Sequence, residues 1–155
     1  MVETLTQELK IIVFQLKEKE YAIPVEQVRS IEKEQHITRV PGVATYINGV
    51  INLRGVVTPI VDLGKRLDLG EAEKTENTRI IIAVFNEIEV GFIVDAANDV
   101  LDIPRDSIEP PPEIVGGTEE EYINGVVKIG KRLLILLDLE MVMNGVAQVN
   151  RIEGN

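Results

Sequence analysis

The chain has 155 residues, 45% of them hydrophobic and 27% charged, and a formal net charge of −10. A chain of this size buries roughly two thirds of its unfolded surface as one globular unit, and a surface this acidic repels phosphate backbones and anionic lipid headgroups, which argues against nucleic acid and membrane surfaces as partners. The lack of cysteine excludes disulfides, thiol nucleophiles and thiolate metal sites, and a single histidine, His36, cannot build a multi-histidine centre.

The N-terminus, MVETLTQELK, lacks the basic-then-apolar order of a signal peptide, and no segment approaches the ~18 apolar residues of a membrane span. These features suit a cytosolic protein, with flexible ends expected over residues 1–8 and 146–155. From Ile11 the chain reads as strands: short apolar runs rich in β-branched residues, as at Ile11–Leu16 and Ile80–Phe85, each followed by a polar turn and a second run. Asn48-Gly49 and Asn124-Gly125 carry turn chemistry, because both residue types tolerate positive φ. Hairpins are expected at Arg54-Gly55 and Gly130-Lys131. Pro59 falls inside a strand pattern and predicts an edge or a bulge there, since proline cannot donate to a ladder. No long helix is predicted.

The same unit occurs twice. Tyr46–Leu63 (YINGVINLRGVVTPIVDL) and Tyr122–Leu139 (YINGVVKIGKRLLILLDL) align without a gap at an offset of 76, and a weaker match pairs the segments from Ile11 and from Ile80 at an offset of 69. The second half carries a longer connection around Glu109–Glu121. The chain therefore divides into subdomains of about 11–76 and 77–144 within one domain, each of about five short strands. That pattern favours two small closed or nearly closed barrels.

Candidate chemistry is sparse. Asp62 and Asp138 hold equivalent places, as in enzymes whose two carboxylates share a proton across a pseudo-twofold axis. Their followers, Leu63-Gly64 and Leu139-Glu140, lack the small hydroxyl residue those enzymes use, so each aspartate reads as the N-cap of a short helix. His36 sits in a polar stretch without a nucleophile motif and reads as solvent-facing. Gly116-Gly117 lacks the lysine or glycine frame of a phosphate cradle, and Glu119–Glu121 reads as a solvated acidic run. No metal, nucleotide or other cofactor is implied. Arg54 aligns with Gly130, so the shared fold does not demand an arginine there, and an exposed hairpin arginine is a candidate interface anchor.

Three segments, GVINLRGVVTPIVDL (Gly49–Leu63), EVGFIVDAANDVLDI (Glu89–Ile103) and YINGVVKIGKRLLILLDL, resemble the CheW family of chemotaxis coupling proteins, in the expected order and over roughly Leu9–Asn144. The resemblance implies a mainly β fold of two intertwined five-stranded SH3-like β-barrels with short helices. It also implies a non-enzymatic adaptor that links the cytoplasmic tips of transmembrane chemoreceptors to the regulatory domain of the histidine kinase CheA, in the cytoplasm at membrane-associated arrays, without inserting into the membrane. The family's coupling residues map onto Arg54 and Gly49. The strand VRSIE is implicated in partner contacts, through Val28 and Ile31. Ser30 stands where some relatives have an acidic residue and is left out. A groove between the barrels is the expected seat for a receptor helix. The alternatives are a module of this family fused to a kinase or receiver domain, as in CheV, and, less favoured, an enzyme using Asp62 and Asp138.

Overall fold

In the computed structural model, residues 7–111, 121–144 and 146 are described. Most of both ends, and the connection that holds Gly116-Gly117 and Glu119-Glu120, lie outside them. Among the described residues there are ten strands: β1 (Glu8–Leu16), β2 (Lys19–Pro24), β3 (Val28–Glu32), β4 (Ile47–Leu53), β5 (Val56–Asp62), β6 (Arg79–Phe85), β7 (Ile88–Val94), β8 (Ala96–Pro104), β9 (Ile123–Ile129) and β10 (Arg132–Leu137). Two one-turn helices follow β5 and β10, α1 (Leu63–Arg66) and α2 (Leu139–Val142).

The strands form two five-stranded sheets, in the orders β8-β1-β2-β10-β9 and β3-β6-β7-β5-β4. Each sheet draws strands from both repeats. β1 and β2 of the first repeat join β8–β10 of the second, while β6 and β7 of the second join β3–β5 of the first. The repeats meet along antiparallel pairs, β1 with β8 and β3 with β6. They meet again along short parallel pairs, β2 with β10 and β5 with β7. The repeat boundary near residue 76 is thus a boundary in sequence that both sheets cross.

Each sheet closes on itself through one bridge beyond its strands: Thr38, after β3, pairs with Val50 of β4, and Glu109, after β8, pairs with Val126 of β9. The closures explain a departure from expectation. Asn48-Gly49 and Asn124-Gly125 lie inside β4 and β9 and make no turn. At Gly49, φ is +146°, and a Cβ there would fall 2.1 Å from the Thr38 carbonyl oxygen; at Gly125 it would fall 2.7 Å from that of Glu109. Both glycines let a second backbone cross close enough to seal a barrel. Pro59 is not at an edge, for β5 is an interior strand, but the β4–β5 pair is bulged next to it, the register shifting between Ile47 and Gly49 opposite Val61 and Ile60. Its opposite number, Val50, gives both backbone groups to Thr38 on its far side, and the β7 ladder begins only at Ile60. No ladder bond is asked of the proline nitrogen.

Strand alternation sorts side chains into three cores. Ile11, Val13, Ala22, Leu134 and Leu136 fill the first barrel, and Ile51, Ile60, Ile80, Ile82 and Ile93 fill the second. The intervening residues of the same strands, among them Phe14, Leu16, Tyr21, Ile81, Ala83 and Phe92, point the other way into a third, larger core between the barrels. Such strands are buried on both faces, which is why Ile11–Phe14 and Ile80–Ala83 read as unbroken apolar runs. A groove at the seam, expected as a helix seat, can therefore only be a surface cleft above this core.

Candidate functional site: matching apolar faces on the two barrels

The duplicated aspartates are caps. Asp62 Oδ1 accepts the Lys65 N–H at 3.3 Å, and Asp138 Oδ1 accepts the Met141 N–H at the same distance. Asp62, almost fully buried, also accepts the Ala72 N–H on Oδ2 at 3.0 Å. Their backbones match as well, each donating to a tyrosine carbonyl, Tyr46 and Tyr122, at 2.8 Å. Carboxylates engaged in this way with backbone donors hold two helices in place. His36 is exposed.

Arg54 and Gly55 form the two-residue turn between β4 and β5, both with positive φ (55° and 85°), and the Gly55 N–H donates to Asn52 Oδ1 at 2.9 Å. This is the I′ geometry that matches strand twist. At Gly130-Lys131 only the glycine has positive φ, 59°, the II′ pattern. Each turn thus carries one glycine and one cation in opposite order, so the mismatch of Arg54 with Gly130 reflects turn type as much as freedom from the fold. The Arg54 side chain is 72% exposed and lies 3.9 Å from Glu32 at the end of β3. That pair brings the turn beside Ile31, which is 42% exposed. Val28, by contrast, packs against the central core, and Gly49 is buried at the barrel closure. Of the four residues singled out, Arg54 and Ile31 reach the surface together; Val28 and Gly49 support the barrel beneath.

Among the described residues the large exposed apolar side chains are Ile31, Val56, Val57, Val100 and Leu133. Four of them are repeat pairs: Ile31 matches Val100 at the offset of 69, and Val57 matches Leu133 at the offset of 76. Each barrel therefore repeats the same two exposed apolar positions on its outer face, one on the strand that closes it and one on its hairpin, with two strands of the sheet between them. The two faces differ in their polar trim. On the first barrel Arg132 donates to Glu20 (2.7 and 3.1 Å) and to Asp99 (2.8 Å). These bonds to carboxylates push its guanidinium pKa up and keep it charged. On the second barrel the matching positions are Val56, Glu89 and Ser30. There Glu89 takes Arg29 at 2.8 Å and the Thr58 hydroxyl at 3.1 Å, while the buried Ser30 Oγ finds no hydrogen-bond partner among the described residues. Val56 therefore stands without a charge cluster of its own at the end of the inward-facing row of β5, on the opposite side of the strand from Val57. The signal for these positions is present in the sequence, where the offsets of 69 and 76 pair an aliphatic residue with an aliphatic residue at both.

A surface cleft of about 500 Å³ beside the 37–48 segment is lined in part by Arg39, Lys65 and Lys74. Two of those cations already have partners, Lys65 with Glu71 at 3.7 Å and Lys74 with Glu34 at 3.9 Å. Among the described residues no group of three histidine, aspartate or glutamate side chains could hold a metal ion, and no helix is long and apolar enough to cross a membrane.

Comparison with known proteins agrees with this geometry. The model of the CheW-like domain matches residues 10–147. A chemotaxis protein CheW of Bacillus subtilis (strain 168) is 55% identical over 87% of this chain and 86% of its own. The crystal structure of the scaffolding protein TtCheW from Thermoanaerobacter tengcongensis superposes with a TM-score of 0.80 at 35% identity, covering 87% of each chain. The chemotaxis protein CheV3 of Helicobacter pylori is 30% identical over 80% of this chain, a match that spans 41% of the longer protein.

Proposed function

The chain belongs to the CheW-like family, and from that premise we propose that it is a chemotaxis scaffold that couples the cytoplasmic tips of chemoreceptors to the regulatory domain of the histidine kinase CheA, in the cytoplasm at receptor arrays. It is not an enzyme. The observation that carries the reading is the match of residues 10–147 to the CheW-like domain, and the exposed apolar positions repeated on both barrels fit a coupler, which needs two surfaces that can be occupied at once. Apolar area supplies adhesion, and Arg54 and the Arg132 cluster at the margins supply register. Arg54 and Ile31 are contact residues in this reading; Val28 and Gly49 act through the barrel they hold. The match to part of CheV3 favours a second reading, in which such a module works within a longer protein; an intact-mass measurement of the natural gene product separates the two.

The test replaces the repeat-equivalent apolar residues with charge. Val57→Glu and Leu133→Glu add a carboxylate at exposed strand positions, where the change in stability should stay within about 0.5 kcal/mol. In titrations with the kinase regulatory domain and with a receptor-tip helical hairpin, each variant should lose at least tenfold in affinity for one partner, roughly 1.4 kcal/mol, and the two variants should lose different contacts. Unchanged binding of both partners by both variants would remove the faces from the proposal.

A further inference from the structure

One cation lies inside a twofold-repeated cage between the barrels. The Arg66 guanidinium stands 4.6 Å from the ring centre of Tyr46 and 4.9 Å from that of Tyr122, residues that match at the repeat offset of 76. The position matching Arg66 at the same offset is Val142, so a symmetric pair of tyrosines is served by a single arginine. Arg66 belongs to α1, which continues β5 of the second barrel. All four of its hydrogen bonds end on the extension of the first: Nε to the Val142 carbonyl at 2.8 Å, Nη1 to the Tyr122 hydroxyl at 3.1 Å, and Nη2 to the Met141 and Asn144 carbonyls at 3.2 and 2.8 Å. Those carbonyls lie at and just past the end of α2, where helical partners run out; that of Met141 also takes the Asn144 N–H at 3.2 Å.

The remaining ties between the barrels constrain angle less. The central core is apolar; its packing favours one arrangement, but it holds no directional bond that a small rotation would break outright. At the turn after β1 the Lys17 N–H donates to Asp95 Oδ2 at 2.7 Å, the Asp95 N–H donates to the Gln15 carbonyl at 2.9 Å, and Lys17 Nζ makes an exposed bond to the Glu71 carbonyl. A planar five-donor fork clamped between two rings is different, because its bonds persist at one rotation only.

We propose that Arg66 is the pin that fixes the angle between the two barrels, and so fixes how the apolar faces around Val57 and Leu133 stand to one another. The first half depends only on the fold; the second rests on the scaffold reading above.

The natural absence of cysteine allows one spin label on each barrel, at Lys128→Cys in β9 and Val56→Cys in β5, with the distance distribution read by pulsed electron resonance. With Arg66 present the distribution is narrow. Arg66→Met should at least double its width while the far-ultraviolet circular dichroism is retained, and Arg66→Lys should stay broad because an ammonium cannot reproduce the fork. A distribution in Arg66→Met as narrow as with arginine overturns the proposal. If Arg66→Met fails to fold, Arg66→Gln, whose amide can make at most two of the four bonds, is read by the same criterion. For the second half, binding of kinase domain alone and of receptor hairpin alone to Arg66→Met should stay within twofold, while joint assembly falls tenfold or more. Joint assembly that survives loosened barrels overturns that half. A natural chain that binds neither partner overturns the scaffold reading, and the width still decides the pin.

Discussion

Arg54 stands at the tip of a turn whose backbone favours glycine or asparagine, held in a left-handed conformation by Asn52 and the flanking strands. Such a residue costs roughly 1 kcal/mol relative to glycine, and its ion pair with Glu32, long and open to solvent, returns little. The strain alone does not single it out, for Lys17, Glu18, Asn86 and Glu87 adopt positive φ in two further two-residue turns, after β1 and after β6. What separates Arg54 is its place at the head of β5, next to the exposed Val56 and Val57 in the chain and within 3.9 Å of Glu32, the neighbour of Ile31. Arg54→Gly should therefore stabilise the fold, raising the melting temperature by about 2–4 °C, while weakening partner coupling by about thirtyfold if the fork is an anchor worth ~2 kcal/mol. Calorimetry and kinase control measured on the same preparation check both signs. A variant that is more stable and couples normally would make Arg54 an ordinary turn cation. Arg66 shows what residue-level reading passes over: the repeat match Tyr46–Leu63 stops three positions short of it, and an arginine in a four-residue helix announces nothing until the two tyrosines are brought together in space. Tyr122 carries the mark of that enclosure. Burial first, then its hydrogen bond with Glu121, pushes its phenol pKa up, with Arg66 pulling the other way.

At the scale of the element, the strands and their hairpins were legible because alternation and turn chemistry are local. The Arg54-Gly55 and Gly130-Lys131 turns fall where expected, and the two aspartates cap the helices that follow them. The Asn-Gly pairs misled because their glycines answer to a backbone distant in sequence: Thr38 for Gly49, Glu109 for Gly125. Local chemistry cannot distinguish a glycine needed for a turn from one needed for a crossing. The distinction has a measurable consequence. A Cβ at Gly49 must displace the Thr38 carbonyl or bend β4, so Gly49→Ala should cost about 2–4 kcal/mol, combining overpacking with an unfavourable φ. Gly42 also has positive φ, +77°, but nothing stands within 4 Å of its Cβ position, so Gly42→Ala should cost only about 1 kcal/mol. Equal losses in denaturant titrations of the two variants would mean that conformation alone, and not barrel closure, sets the demand at Gly49. The same measurement bears on the coupling role mapped to Gly49, because a variant that binds poorly while partly unfolded says nothing about a contact.

For the whole molecule, duplication in sequence and division in space do not coincide. Each repeat supplies two strands to one barrel and three to the other, so neither barrel is complete without both halves of the chain. This exchange was legible only through the family resemblance, since periodicity within one repeat cannot say which copy's strands it will join. It also fixes how the molecule should come apart. Opening either barrel strips strands from the repeat that completes the other and exposes the shared core of Phe14, Phe92 and Leu139. The barrels should therefore unfold together, in one calorimetric transition whose measured and van't Hoff enthalpies agree. Residues 1–76 and 77–155 expressed apart should each remain unfolded, because in each the β2–β10 and β5–β7 ladders lack a strand. Two resolved transitions, or a folded half-chain, would show that the barrels hold themselves together and that the central core merely docks them. Arg66 sharpens the contrast. If it orients the barrels while the core binds them, Arg66→Met should lower the melting temperature and keep the single transition, since loosening an angle does not restore to either barrel the strands it borrows from the other repeat.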